Sequence, residues 1–149
     1  MEVEPSRILL VEDDPLNVEL FQLALNNYNF VNQIDVVEDG EQALEYLLGQ
    51  EGNPPSRPLP RLVLLDLRLP RINGIQVLQA LRNHPRTRNL VVVVMTASLE
   101  DSDLNACYDL GVNSYIVKPL DFQQFIDVAR QVGLYWMLIN EPPLPPSQR

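Results

Sequence analysis

The sequence predicts a doubly wound α/β domain built on a five-stranded sheet that is mostly or wholly parallel. Three observations carry this. Short apolar runs alternate with helical patterns along the chain, and strands joined by helical crossovers lie parallel. Most of the apolar runs are continuous rather than alternating, the pattern of strands buried on both faces. The 149 residues, 46% hydrophobic and 21% charged, make one domain with a short appendage and exclude a disordered chain.

The elements follow in order. Residues 7–12 (RILLVE) form the first strand. Asp14-Pro15 supplies an N-cap with proline at the first helical position. Leu16, Leu20, Leu23, Ala24 and Asn27 then recur at helical spacing, predicting a helix over 15–27. Residues 33–37 alternate as a short strand. Asp39-Gly40 opens a second helix with Ala43, Leu44, Leu47 and Leu48 on one face, ended by Gly49. Residues 49–61 hold four prolines and two glycines. They form a loop, longer than the usual helix-to-strand connection of about 2–6 residues. Residues 62–65 make the third strand. Residues 70–74 turn into a helix over 75–83, with Val77, Leu78 and Leu81 inward and His84-Pro85 as the stop. Residues 90–95 are the fourth strand, a helix within 99–110 ends at Gly111, and residues 114–117 are the fifth strand. Asp121 caps a last helix carrying Phe122, Phe125, Ile126, Ala129 and Val132. Its pattern allows it to continue to Ile139, before Pro142 and Pro143. Residues 1–132 are therefore expected to form the domain, and residues 133–149 a helical extension with a Pro-rich tail.

Composition narrows the partners. The net charge is −9, so a nucleic acid would be repelled unless the bases were gathered on one face. Residues 52–99 do carry seven arginines against one acid. No aromatic-interleaved basic stripe accompanies them, and a solvated face explains them better than a docking patch. No nucleic-acid partner is expected. The longest apolar runs, residues 90–95 and 134–139, fall far short of the ~20 residues of a membrane helix, and no signal peptide is visible. A cytoplasmic protein without a membrane partner is expected. Cys107 is the single cysteine, which excludes an intrachain disulfide; it is expected in the core, and His84 at a helix end is expected to cap or be solvated.

In an open parallel sheet, ligands bind beyond the carboxyl ends of the strands. There the sequence places Glu12, Asp13 and Asp14 after strand one, Asp66 after strand three, Thr96-Ala97-Ser98 after strand four and Lys118-Pro119 after strand five. Asp14 is read as a helix cap. Ten of the eleven cations are arginine, and Lys118 is the one lysine, which suits a site needing a compact ammonium. Crowded carboxylates favour a hard divalent cation such as Mg²⁺, supplied by Asp13 and Asp66 with Glu12 in an outer role. Asp66 is also a possible nucleophile, because carboxylates form acyl phosphates. Thr96 and Lys118 would neutralise a transferring phosphoryl group.

At these residues the chain resembles the receiver domains of two-component response regulators. The matching text is Leu10-Val11-Glu12-Asp13-Asp14, Leu64-Leu65-Asp66-Leu67 with Pro70 and Gly74 beyond, Met95-Thr96-Ala97 and Tyr115-Ile116-Val117-Lys118-Pro119. The resemblance covers residues 6–132. It implies a flavodoxin-like three-layer sandwich with strand order 2-1-3-4-5, and Asp66 as phosphoacceptor for a histidine kinase. It further implies Mg²⁺ on Asp13, Asp66 and the Arg68 backbone carbonyl, with Glu12 acting through water. Thr96, Lys118 and the Ala97 backbone would bind phosphoryl oxygens. Tyr115 would be a switch, with Thr96, whose ring turns inward on activation, and the Lys118–Pro119 bond would be cis. More narrowly, the Pro-rich insertion, the Leu69-Pro70-Arg71 turn and the apolar C-terminus resemble single-domain regulators of bacterial phytochrome kinases. Those usually carry asparagine where this chain has Arg68, which puts the phosphoryl lifetime in question.

The expected function is thus a phosphoacceptor signalling protein, not an enzyme on other substrates, that catalyses its own aspartyl phosphorylation and dephosphorylation. A haloacid-dehalogenase-type phosphatase would need a second aspartate two residues after the first, and Asp66-Leu67-Arg68 lacks it. A receiver-like scaffold that takes no phosphate is opposed by the complete set of Asp13, Asp66, Thr96 and Lys118. Finally, Phe125, Val132, Trp136 and Ile139 fall on one stripe of an uninterrupted last helix; Phe125 and Val132 can serve the domain's own core, and a homodimer seam that Trp136 and Ile139 extend is expected there, with folding back onto the same domain as the alternative. Gly133 is the place where that helix could break.

Overall fold

The computed structural model describes residues 7–26, 33–55 and 57–144. Five strands, β1 (Ile8–Val11), β2 (Ile34–Val37), β3 (Leu62–Leu65), β4 (Val92–Thr96) and β5 (Ser114–Val117), alternate with five helices. These are α1 (Pro15–Leu25), α2 (Gly40–Leu48), α3 (Gly74–Arg82), α4 (Asp101–Asp109) and α5 (Phe122–Leu134), and a π-helical turn at Tyr135–Ile139 continues α5. All strand pairs are parallel, in the order β2-β1-β3-β4-β5. This is the flavodoxin-like topology that the resemblance implies.

The two-residue period of the strands splits the core into two layers. Ile8, Leu10, Leu62, Leu64, Val93 and Met95 face α1 and α5, while Leu9, Val11, Val63, Leu65, Val92 and Val94 face α2, α3 and α4. Every one of these side chains is buried, which explains why the strands read as unbroken apolar runs. The caps are those the sequence carries. Asp14, Asp39 and Asp121 each accept a backbone N–H of their helix, and Asn73 with Gln76 forms a reciprocal capping box on α3.

Some details depart from the sequence reading. In α1 the buried residues are Leu20, Phe21, Ala24 and Leu25, while Leu16 and Leu23 are exposed. The helix turns toward α5, where Phe21 meets Phe125 edge to face with ring centroids 5.1 Å apart. Asn27 lies outside the described residues. In α5, Phe125, Ala129 and Val132 are buried while Phe122 at the first turn is exposed. Cys107 is buried in the core as expected, and the His84 ring nitrogen accepts the Arg86 N–H at the end of α3.

The C-terminal stripe requires a larger correction. Gly133 does not break the helix: a Cβ there would come within 2.3 Å of Leu25 Cδ2, so the glycine permits close packing of α5 on α1. Phe125 and Val132 are buried in the domain's own core, and so is Met137. The wider π turn shifts the register, leaving Trp136 half-buried against the same core while Ile139 is 68% exposed. Of the four stripe residues, Phe125 and Val132 thus serve the domain's own core, Trp136 packs partly against it, and Ile139 alone is exposed. Gly133→Val should destabilise the fold by about 1–3 kcal/mol through overpacking, read as a lower urea midpoint with unchanged slope. An unchanged midpoint would mean that α1 and α5 are not held at this distance.

Five of the seven arginines of residues 52–99 serve as internal staples. Arg82 donates to the carbonyls of Thr87, Arg88, Leu90, Leu110 and Gly111. Arg86 holds Leu47 O and Arg57 O, and Arg57 in turn pairs with Asp35 and covers the Tyr46 ring. Arg61 donates to Trp136 O and Asn140 O at the end of the π turn, where a cation complements the helix dipole. Arg71, at φ 67°, is held by Asp39 and Glu41. These contacts anchor the Pro-rich loop and the C-terminal turn to the body. Among the described residues, no helix is long and apolar enough to cross a membrane.

Candidate functional site

The parallel register brings the carboxyl ends of β1, β3, β4 and β5 to one edge. Val11 lies between Val37 and Leu65, and the ladder continues as Glu12 N–H donates to Val37 O and Asp66 N–H to Val11 O. Glu12 and Asp66 therefore leave the sheet side by side at the switch point between β2-β1 and β3. On the other side, Thr96 pairs with Val117, and Lys118 N–H donates to Thr96 O at 2.7 Å. Gly74 permits the closest approach. A Cβ there would lie 2.4 Å from Asp66 O, so only glycine lets α3 start directly against the backbone of Asp66.

Lys118 reaches back across the edge. Its Nζ donates to Glu12 Oε1 at 2.6 Å and to Asp66 Oδ2 at 2.7 Å, with all three side chains buried or nearly so. Asp66 Oδ1 accepts the Arg68 N–H at 3.1 Å. Glu12 also accepts Asn17 Nδ2 and the Asp14 N–H. Burial pushes the Glu12 carboxyl up to about 7 against the lowering effect of Lys118, with the charge of Asp66 adding to the rise. For Lys118, burial lowers the pKa but the two carboxylates outweigh it, so the ammonium stays charged. The sign for stability follows from the raised Glu12. Its contribution is full below the ordinary carboxyl range and is lost as pH rises through about 7.

Glu12, Asp13 and Asp66 each present a carboxylate oxygen within 4.8 Å of the others. Fully ionised, three carboxylates against one ammonium leave a net negative site of hard oxygen donors, which suits Mg²⁺ or a similar divalent ion. The residues fit the group. Mg²⁺ should raise the Tm of the protein and lose most of that effect in Asp13→Asn; an equal shift in both would remove Asp13 from the metal site.

The remaining residues fall as follows. Thr96 is fully buried, with its Oγ1 accepting the Ser98 N–H at 3.4 Å. Tyr115 packs against the α2–α4 layer, and its hydroxyl donates to Ser98 O at 3.2 Å, so the ring is already partly inward. The described peptide bonds are all trans, including Lys118–Pro119; the expected cis bond is not found. Proline lowers the trans preference to only about 0.5–1 kcal/mol, so the surroundings decide, and here the chain leaves the β4–β5 ladder with Leu120 97% exposed. A cavity of about 210 Å³ opens beside Lys118, lined also by Asn17, Ala97, Pro119 and Phe122. Asn17 has no signal in the sequence, and Ser98 is placed at this edge by the sequence but given no role there. Position alone hinted at Ser98, two residues after Thr96.

A carboxylate with both oxygens held, two further acids, a buried hydroxyl and one ammonium thus converge at the carboxyl edge of a 2-1-3-4-5 sheet. Residues 8–130 match the response regulator receiver domain. The chain belongs to that family. The receiver is 41% identical over 142 residues to the probable methanogenesis regulatory protein FilR2 of Methanothrix harundinacea, covering 95% of this chain and 90% of that protein. It is 32% identical over 133 residues to response regulator Rcp1 of Synechocystis sp., covering 89% and 90%. The crystal structure of the phosphorylated cyanobacterial phytochrome response regulator RcpA aligns with a TM-score of 0.86 at 31% identity, over 95% of this receiver and 100% of that chain. The Mn²⁺-bound form of Rcp1 gives 0.84 at 31% identity, over 94% and 100%. Phytochrome response regulators are thus among its relatives, as the Pro-rich insertion and apolar C-terminus suggested.

Proposed function

We propose that this receiver takes a phosphoryl group onto Asp66 from the phosphohistidine of a phytochrome-type sensor kinase, in the cytoplasm, and signals by changing conformation. The single observation that carries the reading is the Lys118 ammonium shared between Asp66 and Glu12. An Asp66 carboxylate oxygen attacks phosphorus, the P–N bond breaks, and the imidazole leaves with the electron pair. The Arg68 N–H and Lys118 hold the two oxygens of Asp66 in fixed directions, so the nucleophile is oriented before the donor arrives. Thr96, the Ala97 backbone and Lys118 then bind the transferred oxygens, with Lys118 moving part of its charge from Glu12 to the phosphoryl group. Asp13, Asp66 and the Arg68 carbonyl, with Glu12 through water, would hold Mg²⁺, which would supply neutralisation of the phosphoryl charge. The same groups neutralise the phosphoryl oxygens when water attacks phosphorus and the Asp66 carboxylate leaves with the P–O electron pair, so the chain promotes both the formation and the hydrolysis of its own acyl phosphate.

The test is transfer from phosphorylated kinases. Label should pass from a phytochrome-type kinase to this receiver in Mg²⁺ and not in EDTA. Transfer only from kinases of other types would overturn the assignment of the donor.

A homodimer through the end of the last helix is part of the proposal. Tyr135, Leu138 and Ile139 leave apolar surface outward, although Phe125 and Val132 are spent on the core. Sedimentation should show self-association that weakens in Leu138→Ser with Ile139→Ser. Monomers for wild type at tens of micromolar would remove the dimer.

A further inference from the structure

Ser98 is 3% exposed, and each of its polar groups is used. Its N–H donates to Thr96 Oγ1 at 3.4 Å, and its carbonyl accepts the Tyr115 hydroxyl at 3.2 Å. Its Oγ–H donates to Asp103 Oδ2 at 2.5 Å while the same oxygen accepts the Glu100 N–H at 3.3 Å. Glu100, the N-cap residue of α4, makes no side-chain cap of its own. The start of α4 is therefore tied down through Ser98 and Asp103.

We propose that the Ser98–Asp103 hydrogen bond is a brace that fixes the β4–α4 loop, making Ser98 a positioning residue for both Thr96 and Tyr115; the proposal rests on the phosphoacceptor reading above. A hydroxyl has one hydrogen and two lone pairs. With one lone pair of Thr96 taken by the Ser98 N–H, the Thr96 hydrogen is left to point at an acceptor, the role a phosphoryl oxygen fills. The Ser98 carbonyl is at the same time the anchor of the Tyr115 hydroxyl. One residue thus couples the group that binds phosphate to the ring that reports it, and the first turn of α4 holds that residue in place.

The brace is tested from its half-buried end, where substitution leaves the core intact. Asp103→Ala removes the acceptor. Asp103→Asn removes the charge but keeps an acceptor oxygen, so it separates the hydrogen bond from the helix-dipole effect of the carboxylate. Two readouts are taken: the rate of Asp66 labelling by acetyl phosphate in Mg²⁺, and the Tyr115 ring resonances of the unphosphorylated protein. Asp103→Ala should slow labelling about threefold to tenfold, the effect of one hydrogen bond of ordinary net strength, and move the Tyr115 signals toward those of a solvated ring. Asp103→Asn should restore both. Ser98→Ala, which also loses the Glu100 N–H contact, should be at least as defective as Asp103→Ala, and the double variant should be no worse than Ser98→Ala. Unchanged labelling and Tyr115 signals in Asp103→Ala, or Asp103→Asn as defective as alanine, would overturn the brace. If wild type itself takes no label, the phosphoacceptor reading fails, and the Tyr115 signals still decide the brace.

Discussion

Asp66→Asn is expected to reduce Mg²⁺-dependent labelling by acetyl phosphate or a kinase to background while leaving the fold intact. The amide oxygen is a far poorer nucleophile than the carboxylate, and no other buried carboxylate takes its place. The other buried acid among the described residues, Glu12, is held by Lys118 Nζ, Asn17 Nδ2 and the Asp14 N–H. Stability should hold or rise by up to about 1 kcal/mol, because the substitution relieves repulsion between two buried acids that share one ammonium. Denaturant unfolding beside the labelling assay checks both halves. Full labelling of Asp66→Asn would place the phosphoryl group elsewhere.

Replacing Lys118 is the second large effect. Lys118→Ala removes the cation that Glu12 and Asp66 share. Breaking a buried pair costs about 3–5 kcal/mol, an upper bound here because Glu12, already raised to about 7, takes up a proton. Lys118→Arg keeps the charge but not its shape: a planar fork cannot bring one nitrogen within 2.6 Å of Glu12 and 2.7 Å of Asp66 as a compact ammonium does. Labelling should survive in Lys118→Arg, but the Tyr115 resonances should no longer change on phosphorylation. Wild-type behaviour of Lys118→Arg would make the lone lysine an accident of composition.

The site was legible because of where polar residues fall in a sheet of this kind. Asp66 interrupts the run Leu64-Leu65-Asp66-Leu67, and a charge there has to be paired or functional. The lone lysine in an arginine-rich chain turned out to be the cation between the two buried acids. What stayed hidden has physical reasons too. Arg61, Arg82 and Arg86 bind backbone carbonyls, and a carbonyl has no sequence signature, so these side chains read as solvated charge. The stripe of Phe125, Val132, Trp136 and Ile139 assumes α-helical spacing, whereas the π turn adds nearly a residue per turn and sends Met137 inward. Gly133 reads as a helix breaker until Leu25 of α1 is placed against it. Ser98 is a small polar residue after Thr96-Ala97, and only its burial shows that all of its hydrogen-bonding groups are committed.

Mapping the acyl phosphate itself tests the account most directly. Wild-type protein is labelled with acetyl phosphate in Mg²⁺, trapped by borohydride reduction, which converts an aspartyl phosphate to homoserine, and sequenced by mass spectrometry. The geometry of Lys118, Glu12 and Asp66 predicts homoserine at position 66 alone, and none when EDTA replaces Mg²⁺. Homoserine at Asp13 or another position, or no conversion under conditions where the protein is folded and Mg²⁺ raises its Tm, would contradict it.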